Sequence, residues 1–298
     1  MNFANPKNDV AFKKIFGDEK KTEILISFLN AVLNLSDEKE ITHINILNPY
    51  QAPKLKDLKQ TVLDVRATDK RGITFIVEMQ VKQLEGYKKR FVYYVSQAYS
   101  SQVKPQIKRG EDYPKLNQVF FIGVLDYEEF SSKHYLSRHQ LLNLETKKQD
   151  IEELEFSFIE LPKFSKKEAE LESILEKWIY FIKHASDLEV IPESADIEPL
   201  REAYKIANTH SWSKEELDLY NYWSMKDQDE RGAMAFAVKK AAAEGHAEGH
   251  VEGHAEGKKE KAIEAAKKML ADGLTVEVIA KYTGLSLEEI ATLSFDNG

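Results

Sequence analysis

Cysteine is absent from the whole 298-residue chain. That excludes a disulfide framework, a thiolate zinc site and a cysteine nucleophile, and it fits a reducing compartment. Long apolar runs are missing too. No stretch approaches the ~18 residues of a membrane span, and the opening MNFANPKNDVAFKKIF lacks the apolar core of a secretory signal. The expected address is therefore the cytoplasm, with no membrane partner. Nor is there an excess of positive charge. The net charge of −8 does not by itself point to nucleic acid, because phosphate binding needs Lys and Arg to release counterions. The total hides a local bias, however. Lys82, Lys88, Lys89, Arg90, Lys104, Lys108 and Arg109 gather in one segment, while much of the acid lies after Glu145. This cluster is either a phosphate-binding patch or an ordinary solvated surface.

What is present is the balance of a globular protein, with 42% hydrophobic and 31% charged residues. The length allows about two domains, or one with appendages. Phe12, Ile15 and Phe16, then Ile24, Leu25, Phe28, Leu29 and Val32, recur at helical spacing, so a short helix and a longer one are expected, the second behind Thr22 as N-cap. ITHINIL (41–47), TVLDVRAT (61–68) and ITFIVEMQV (73–81) have strand character. YKKRFVYYVSQAYSSQV (87–103) is helical, and VFFIGVL (119–125) suits a central strand buried on both faces. The order is α, β, β, β, α, β. EFSFIEL (155–161) is a further candidate strand, and helical periodicity runs through Leu171, Leu175, Trp178, Ile179 and Ile182.

Two charges stand out inside apolar runs: Asp64 among Val62, Leu63 and Val65, and Glu78 after Phe75, Ile76 and Val77. Phosphodiester hydrolysis needs a divalent metal to offset developing charge and activate water, and a hard cation prefers one or two carboxylates plus waters and phosphate oxygens. Whether these two carboxylates meet depends on register, since a one-residue slip sends a side chain to the other face. A three-residue loop Lys70-Arg71-Gly72, with Gly72 left-handed, closes the hairpin with Asp69 opposite Ile73. Asp64 then faces Glu78, with Gln80 on the same face opposite Val62. A four-residue loop closed by Thr68 and Ile73 would put the carboxylates on opposite faces. The alternative to a site is a solvated edge hairpin in which Arg66 and Lys82 pair with the two acids.

These residues resemble the PD-(D/E)XK nuclease superfamily, whose core has the order α-β-β-β-α-β with an acid on the second strand and E-x-K on the third. More narrowly, NPKNDVAFKKIFG (5–17), the LDVRATDKRG and FIVEMQ hairpin, the RFVYYVSQAYSSQ helix (90–102) and the AEGH repeat resemble the recombination-promoting nuclease, or transposase, family over essentially the whole chain. The resemblance implies a restriction-endonuclease-like α/β fold with a mixed central sheet, and a Mg²⁺-dependent DNA endonuclease for which Mn²⁺ can substitute. It makes Asp64 and Glu78 the metal carboxylates and the Met79 carbonyl a further ligand. Gln80 stands where lysine is usual and so supplies hydrogen bonds without charge, and Leu63 stands where the proline would be.

Asp9 lies in the N-terminal motif; it either completes the metal shell or stabilises the dipole of its helix, worth ~0.3–1 kcal/mol. Arg90, Tyr94 and Gln97 share one helical stripe that suits a phosphate, with Lys82, Lys88 and Lys89 as further DNA contacts, although Tyr93 and Tyr94 equally suit packing. The repeat across 243–258 aligns His246, His250 and His254 on one helical stripe and Gly245, Gly249, Gly253 and Gly257 on another. The spacing suits either a metal or, as preferred here, a flexible or self-associating tether. Three short helices broken at Gly273 and Gly284, with Thr275 and Ser286 as N-caps and a Ser286/Glu289 capping box, end the chain in a helix-turn-helix-like element that suits DNA or protein. The expected divisions are residues 1–165 (nuclease-like core), 166–235 (accessory helices), 236–260 (tether) and 261–298 (C-terminal element). Three functions compete: a DNA endonuclease linked to recombination or mobile DNA, an inactive DNA-binding or scaffold protein on the same fold, and an RNA-directed nuclease.

Overall fold

The apolar periodicity of the N-terminal segment becomes α1 (Asp9–Phe16) and α2 (Thr22–Leu33) in the computed structural model, which describes residues 1–48, 50–51, 61–103 and 113–295. Asn8 caps α1, its side chain accepting from the Val10 and Ala11 amides, which satisfies donors that a helix start leaves free. Thr22 is the first residue of α2 and not its cap. Lys21 holds the cap position without a side-chain hydrogen bond, and six buried apolar residues from Ile24 to Leu33 hold the helix instead.

The strands follow as β1 (Ile44–Ile46), β2 (Tyr50–Gln51), β3 (Thr61–Val62), β4 (Val65–Asp69) and β5 (Thr74–Gln80); after α3 (Tyr87–Ser101) come β6 (Val119–Leu125), β7 (Leu136–Gln140) and β8 (Leu154–Glu160). Six of them make one sheet in the order β1-β4-β5-β6-β8-β7. The β1, β4 and β5 pairings are antiparallel, β5, β6 and β8 run parallel, and β7 returns antiparallel on β8. The fold is thus α/β with a mixed sheet, as expected. Within this sheet, sequence patterning missed β7, which reads LSRHQ and is largely exposed. An edge strand of that kind lacks the apolar alternation by which strands are recognised.

The β4–β5 turn has the anticipated form. The Asp69 amide donates to the Ile73 carbonyl at 3.1 Å and the Gly72 amide to the Asp69 carbonyl at 3.0 Å. Gly72 has φ 84°, a conformation that costs glycine nothing. The Asp69 carboxylate fixes the loop by accepting from the Arg71 and Ile73 amides at 2.9 and 3.0 Å. Pairing runs Thr68–Thr74, Ala67–Phe75, Arg66–Ile76 and Val65–Val77.

Both sheet faces are covered. One carries Val65, Ala67, Phe75, Val77, Ile122 and Val124 against α1 and α2, together with α4 (Ile174–His184) and α5 (Glu198–Ala207). The other carries Ile76, Phe121, Leu125 and Phe158 against Tyr87, Phe91, Val95 and Ala98 of α3. The helices read as accessory therefore fill the principal core: Trp178 is fully buried, in ring contact with Phe16, Phe28 and Phe181, and its Nε1 donates to Ser27 Oγ at 3.1 Å.

The chain forms two compact units, Met1–Met225 and Lys226–Gly298. The AEGH repeat lies within the long helix α6 (Lys214–Ala271), where His246, His250 and His254 are exposed. Then come α7 (Val276–Thr283) and α8 (Leu287–Phe295). They gather Ala266, Ile279, Leu285 and Ile290 into a small core. Thr275 occupies the N-cap of α7 without a side-chain bond, and Gly284 ends that helix with a left-handed conformation. The expected capping box is formed, with Ser286 and Glu289 exchanging side-chain to amide bonds of 2.9 and 3.1 Å. No described helix is long and apolar enough to cross a membrane.

Truncating Trp178 to Ala removes a fully buried indole between three aromatic rings and should cost ~3–5 kcal/mol. A markedly lower urea midpoint in chemical denaturation is expected; a midpoint within a few tenths molar of wild type would show that α4 does not belong to the core.

Candidate active site

The two acids flagged in the hairpin meet, although not through a regular ladder. Backbone pairing of β4 with β5 ends at Val65–Val77, and the chain bends at Asp64. Leu63, which strict alternation would place beside Val65, instead joins the α3-side cluster. Val62 pairs with Tyr50 of β2 and is not opposite Gln80, because the strand leaves β5 at this bend. In place of ladder bonds the side chains cross over. The Asp64 amide donates to Glu78 Oε1 at 3.1 Å, and Asp64 Oδ2 accepts from the Met79 amide at 2.8 Å. Each carboxylate is therefore held by the other strand's backbone.

Gln80 is next on the Glu78 side of β5, and its Nε2 donates to Glu78 Oε2 at 3.2 Å. Asp126, just beyond β6, joins this end of the sheet through its amide on the Gln80 carbonyl at 2.9 Å. Lys7 pairs with the Asp126 carboxylate at 3.1 Å, which ties the N-terminal motif to the same place. Asp9, half exposed in the first turn of α1, pairs with Lys13 at 2.8 Å. Lys13 also reaches Asp64 Oδ1 at 3.4 Å. Sequence reasoning overlooked Lys13. The motif NPKNDVAFKKIFG contained it, but only the packing of α1 beside the bend brings it to Asp64.

Both acids are forced toward the neutral form. Burial raises the Asp64 carboxyl to about 7; Lys13 opposes the rise, the Asp9 carboxylate adds to it, and the Met79 amide opposes it. Burial, then repulsion from Asp64, pushes Glu78 well above the usual carboxylate range against the pull of the Asp64 amide, Arg90 and Lys13. The two titrate as a pair. For Lys13, burial lowers the pKa, but Asp9 and Asp64 outweigh it and the net shift is upward. Of the alternative in which Arg66 and Lys82 pair with the two acids, the Arg66 part is not found among the described residues: Arg66 Nε is buried with no hydrogen-bond partner.

The α3 stripe is divided. Arg90 donates from Nε and Nη2 to the Tyr94 hydroxyl at 3.1 and 2.9 Å and lies near enough to Glu78 to stabilise its charge. Tyr94 is mostly buried, Tyr93 exposed, and Gln97 Oε1 is buried without a partner. The Tyr87 hydroxyl, which sequence reading passed over, is likewise buried and unpaired beside this cluster; burial keeps it neutral. Lys88 pairs with Glu129 at 3.0 Å, and Lys89 is exposed one residue on. Lys104, Lys108 and Arg109 lie outside the described residues.

The donor set fits a hard divalent cation. Glu78 is almost fully buried and Asp64 is 12% exposed, burial disfavours the anion of each, and a cation bound by both would relieve that cost. Among the described residues no three acidic or histidine side chains gather to hold a metal, so backbone carbonyl and water would complete the shell, a mode that suits Mg²⁺.

The hairpin of a mixed α/β sheet thus carries paired acids at its end, flanked by a helix before and a helix after. Residues 6–237 match the family model described as PD-(D/E)XK nuclease family transposase, and the chain belongs to that family. Residues 259–294 match the model described as Rpn/YhgA-like nuclease family, C-terminal HTH domain. No match is found among curated proteins or among solved structures.

The raised acids make the metal-free site a cost at neutral pH. A carboxyl whose pKa is higher folded than unfolded stabilises the protein below the unfolded value of 3.8, and that contribution is lost as pH rises through about 7. Asp64→Asn in EDTA should therefore be more stable than wild type at pH 8 by ~1–3 kcal/mol, with the advantage vanishing near pH 4. Chemical denaturation at the two pH values decides it. Equal stability at pH 8 would mean that Asp64 is not held as a buried anion.

Proposed function

We propose that this chain is a Mg²⁺-dependent endodeoxyribonuclease that hydrolyses phosphodiester bonds in the service of recombination or mobile DNA, with Mn²⁺ able to substitute. One observation carries the reading: two buried carboxylates, Asp64 and Glu78, each anchored to the other's strand, in a chain of the PD-(D/E)XK nuclease family transposases.

In this reading Asp64 and Glu78 hold the cation, with the Met79 carbonyl as a further ligand and Asp9 on its margin. A bound divalent cation supplies charge neutralisation at the scissile phosphate and a more acidic water. Gln80 keeps Glu78 oriented through its amide, in the way that outer hydrogen bonds fix a ligating carboxylate. Arg90, with its guanidinium placed by Tyr94, faces the phosphate; Gln97 lies further along the same helix, and Lys82, Lys88 and Lys89 provide flanking backbone contacts. DNA is favoured over RNA by the helix-turn-helix match at 259–294. Self-association through the tail belongs to the same reading, supported by exposed Met234, Phe236 and Val238 on α6 and by open space beside Gly245, Gly249, Gly253 and Gly257. Its place of action is the cytoplasm.

The second reading, an inactive DNA-binding scaffold, is favoured by Gln80, whose neutral amide is already engaged by Glu78. Nicking of supercoiled plasmid separates the two. Wild type with Mg²⁺ or Mn²⁺ should cut, and identically prepared Asp64→Ala and Glu78→Ala should fall by ~10³-fold or more, the several kcal/mol expected of lost metal ligation. DNA binding without metal-dependent cutting by any of the three would establish the scaffold, and faster cutting of matched RNA would redirect the substrate assignment.

A further inference from the structure

Gln80 occupies the strand position at which the E-x-K pattern of the wider superfamily, by resemblance, has lysine, and its amide is spent on Glu78. The ammonium that reaches the acids comes from another element. Lys13 Nζ lies 2.8 Å from Asp9 Oδ1 and 3.4 Å from Asp64 Oδ1. The Asp9 contact alone is an ordinary, partly exposed i,i+4 helix pair, and it explains nothing about Asp64. The second contact does need explaining, because Asp64 is only 12% exposed and belongs to a different element.

Lys13 is also delivered rigidly. The helix that carries it is capped by Asn8 and anchored by buried Ala11, Phe12, Ile15 and Phe16, and Lys7 pins the preceding turn to Asp126. An ammonium on such a support loses little freedom when it meets a ligand.

Charge counting says what it is for. Once both buried acids are ionised, as holding a cation requires, Asp9, Asp64 and Glu78 bring three negative charges against the two positive ones of Lys13 and Arg90. A divalent cation turns the net negative charge of one into a net positive charge of one. Without Lys13 the loaded site would be neutral, with no excess charge to receive a phosphate whose negative charge must be stabilised as the nucleophile approaches.

We propose that Lys13 is the catalytic lysine of this chain, moved from the strand to the first helix: held by Asp9, its ammonium faces a non-bridging oxygen of the scissile phosphate. This rests on the nuclease reading above. In the step it assists, the water oxygen bonds to phosphorus and the P–O ester bond breaks. One water proton ends on the leaving oxygen and the other is released from the new phosphate monoester. Lys13 keeps its proton throughout and contributes charge alone.

The test compares Lys13→Met, Lys13→Arg and the double variant Lys13→Met/Gln80→Lys with wild type and Asp64→Ala. Single-turnover plasmid cleavage is measured at saturating Mg²⁺, Mg²⁺ affinity by calorimetry, and folding by far-UV circular dichroism. Lys13→Met should fold, bind Mg²⁺ as tightly as wild type or more tightly because a competing cation beside Asp64 is gone, and cleave about 10²–10³-fold more slowly. Lys13→Arg should recover part of the rate, and a lysine returned to position 80 should raise the Lys13→Met rate by about tenfold or more. Lys13→Met cleaving within about threefold of wild type would overturn the proposal while leaving the nuclease reading intact. So would a loss that follows weaker Mg²⁺ binding and disappears on adding more Mg²⁺, since Lys13 would then only shape the metal site. Wild type failing to cut alongside Asp64→Ala would remove the nuclease reading and this proposal with it.

Discussion

Asp64 and Glu78 are each held by a backbone amide of the opposite strand, and much of this site follows from that exchange. A strand amide normally serves the ladder, and using it for a carboxylate ends regular pairing at that point. The bend at Asp64 is the consequence: β4 stops at Val65, Leu63 crosses to the α3 cluster and Val62 pairs elsewhere. The sheet gives up local regularity so that two acids can be aimed at each other in a buried place. Placing like charges together at low dielectric is costly, and only a well-packed surround can enforce it.

That surround is built from both layers. On one side Phe75, Val77 and Met79 of β5 pack with α1, and on the other Ile76 packs with α3, so the backbone carrying Glu78 cannot shift to separate it from Asp64. The central strand contributes through an absence. Gly123 pairs with Glu78, and a Cβ there would come within 2.7 Å of the Phe158 ring. Its lack of a side chain lets the aromatic cluster close under α3 beside the site. The acids also lie toward the carboxyl end of β5, whose parallel pairing with β6 runs as far as Gln80 and Leu125. In open α/β sheets, strand ends of this kind are where ligands bind.

How much of this could be read from the sequence depended on distance along the chain. The turn at Lys70–Gly72 is local, and its chemistry fixed the register that brings Asp64 to Glu78. The central strand declared itself through seven consecutive apolar or small residues. The capping box at Ser286 needed only three residues of context. Features set by long-range packing were not legible. Lys13 looks like any lysine on an amphipathic helix, and nothing nearby says that α1 lies against the bend. Trp178 and Tyr204 sit in segments of plain helical periodicity, and whether such a helix is accessory or central is decided by the surface it meets. Polar β7 offered no periodicity at all.

The Gln80 substitution marks where the local and the long-range readings meet. Judged along the strand, a neutral residue in the lysine position is a loss of charge and argues against turnover. Judged in space, the charge is present, because Lys13 approaches Asp64 from the neighbouring helix. The amide then becomes useful for a different reason. A lysine at position 80 would add a second ammonium to the site, competing with a divalent cation for the carboxylates, whereas Gln80 donates a hydrogen bond and adds no charge beside Glu78. A buried pair that is only partly compensated costs stability in the empty protein, and a cation that relieves part of that cost binds the more tightly for it. One lysine supplied from the helix, shared between Asp9 and Asp64, leaves that attraction in place and provides a positive charge at the rim.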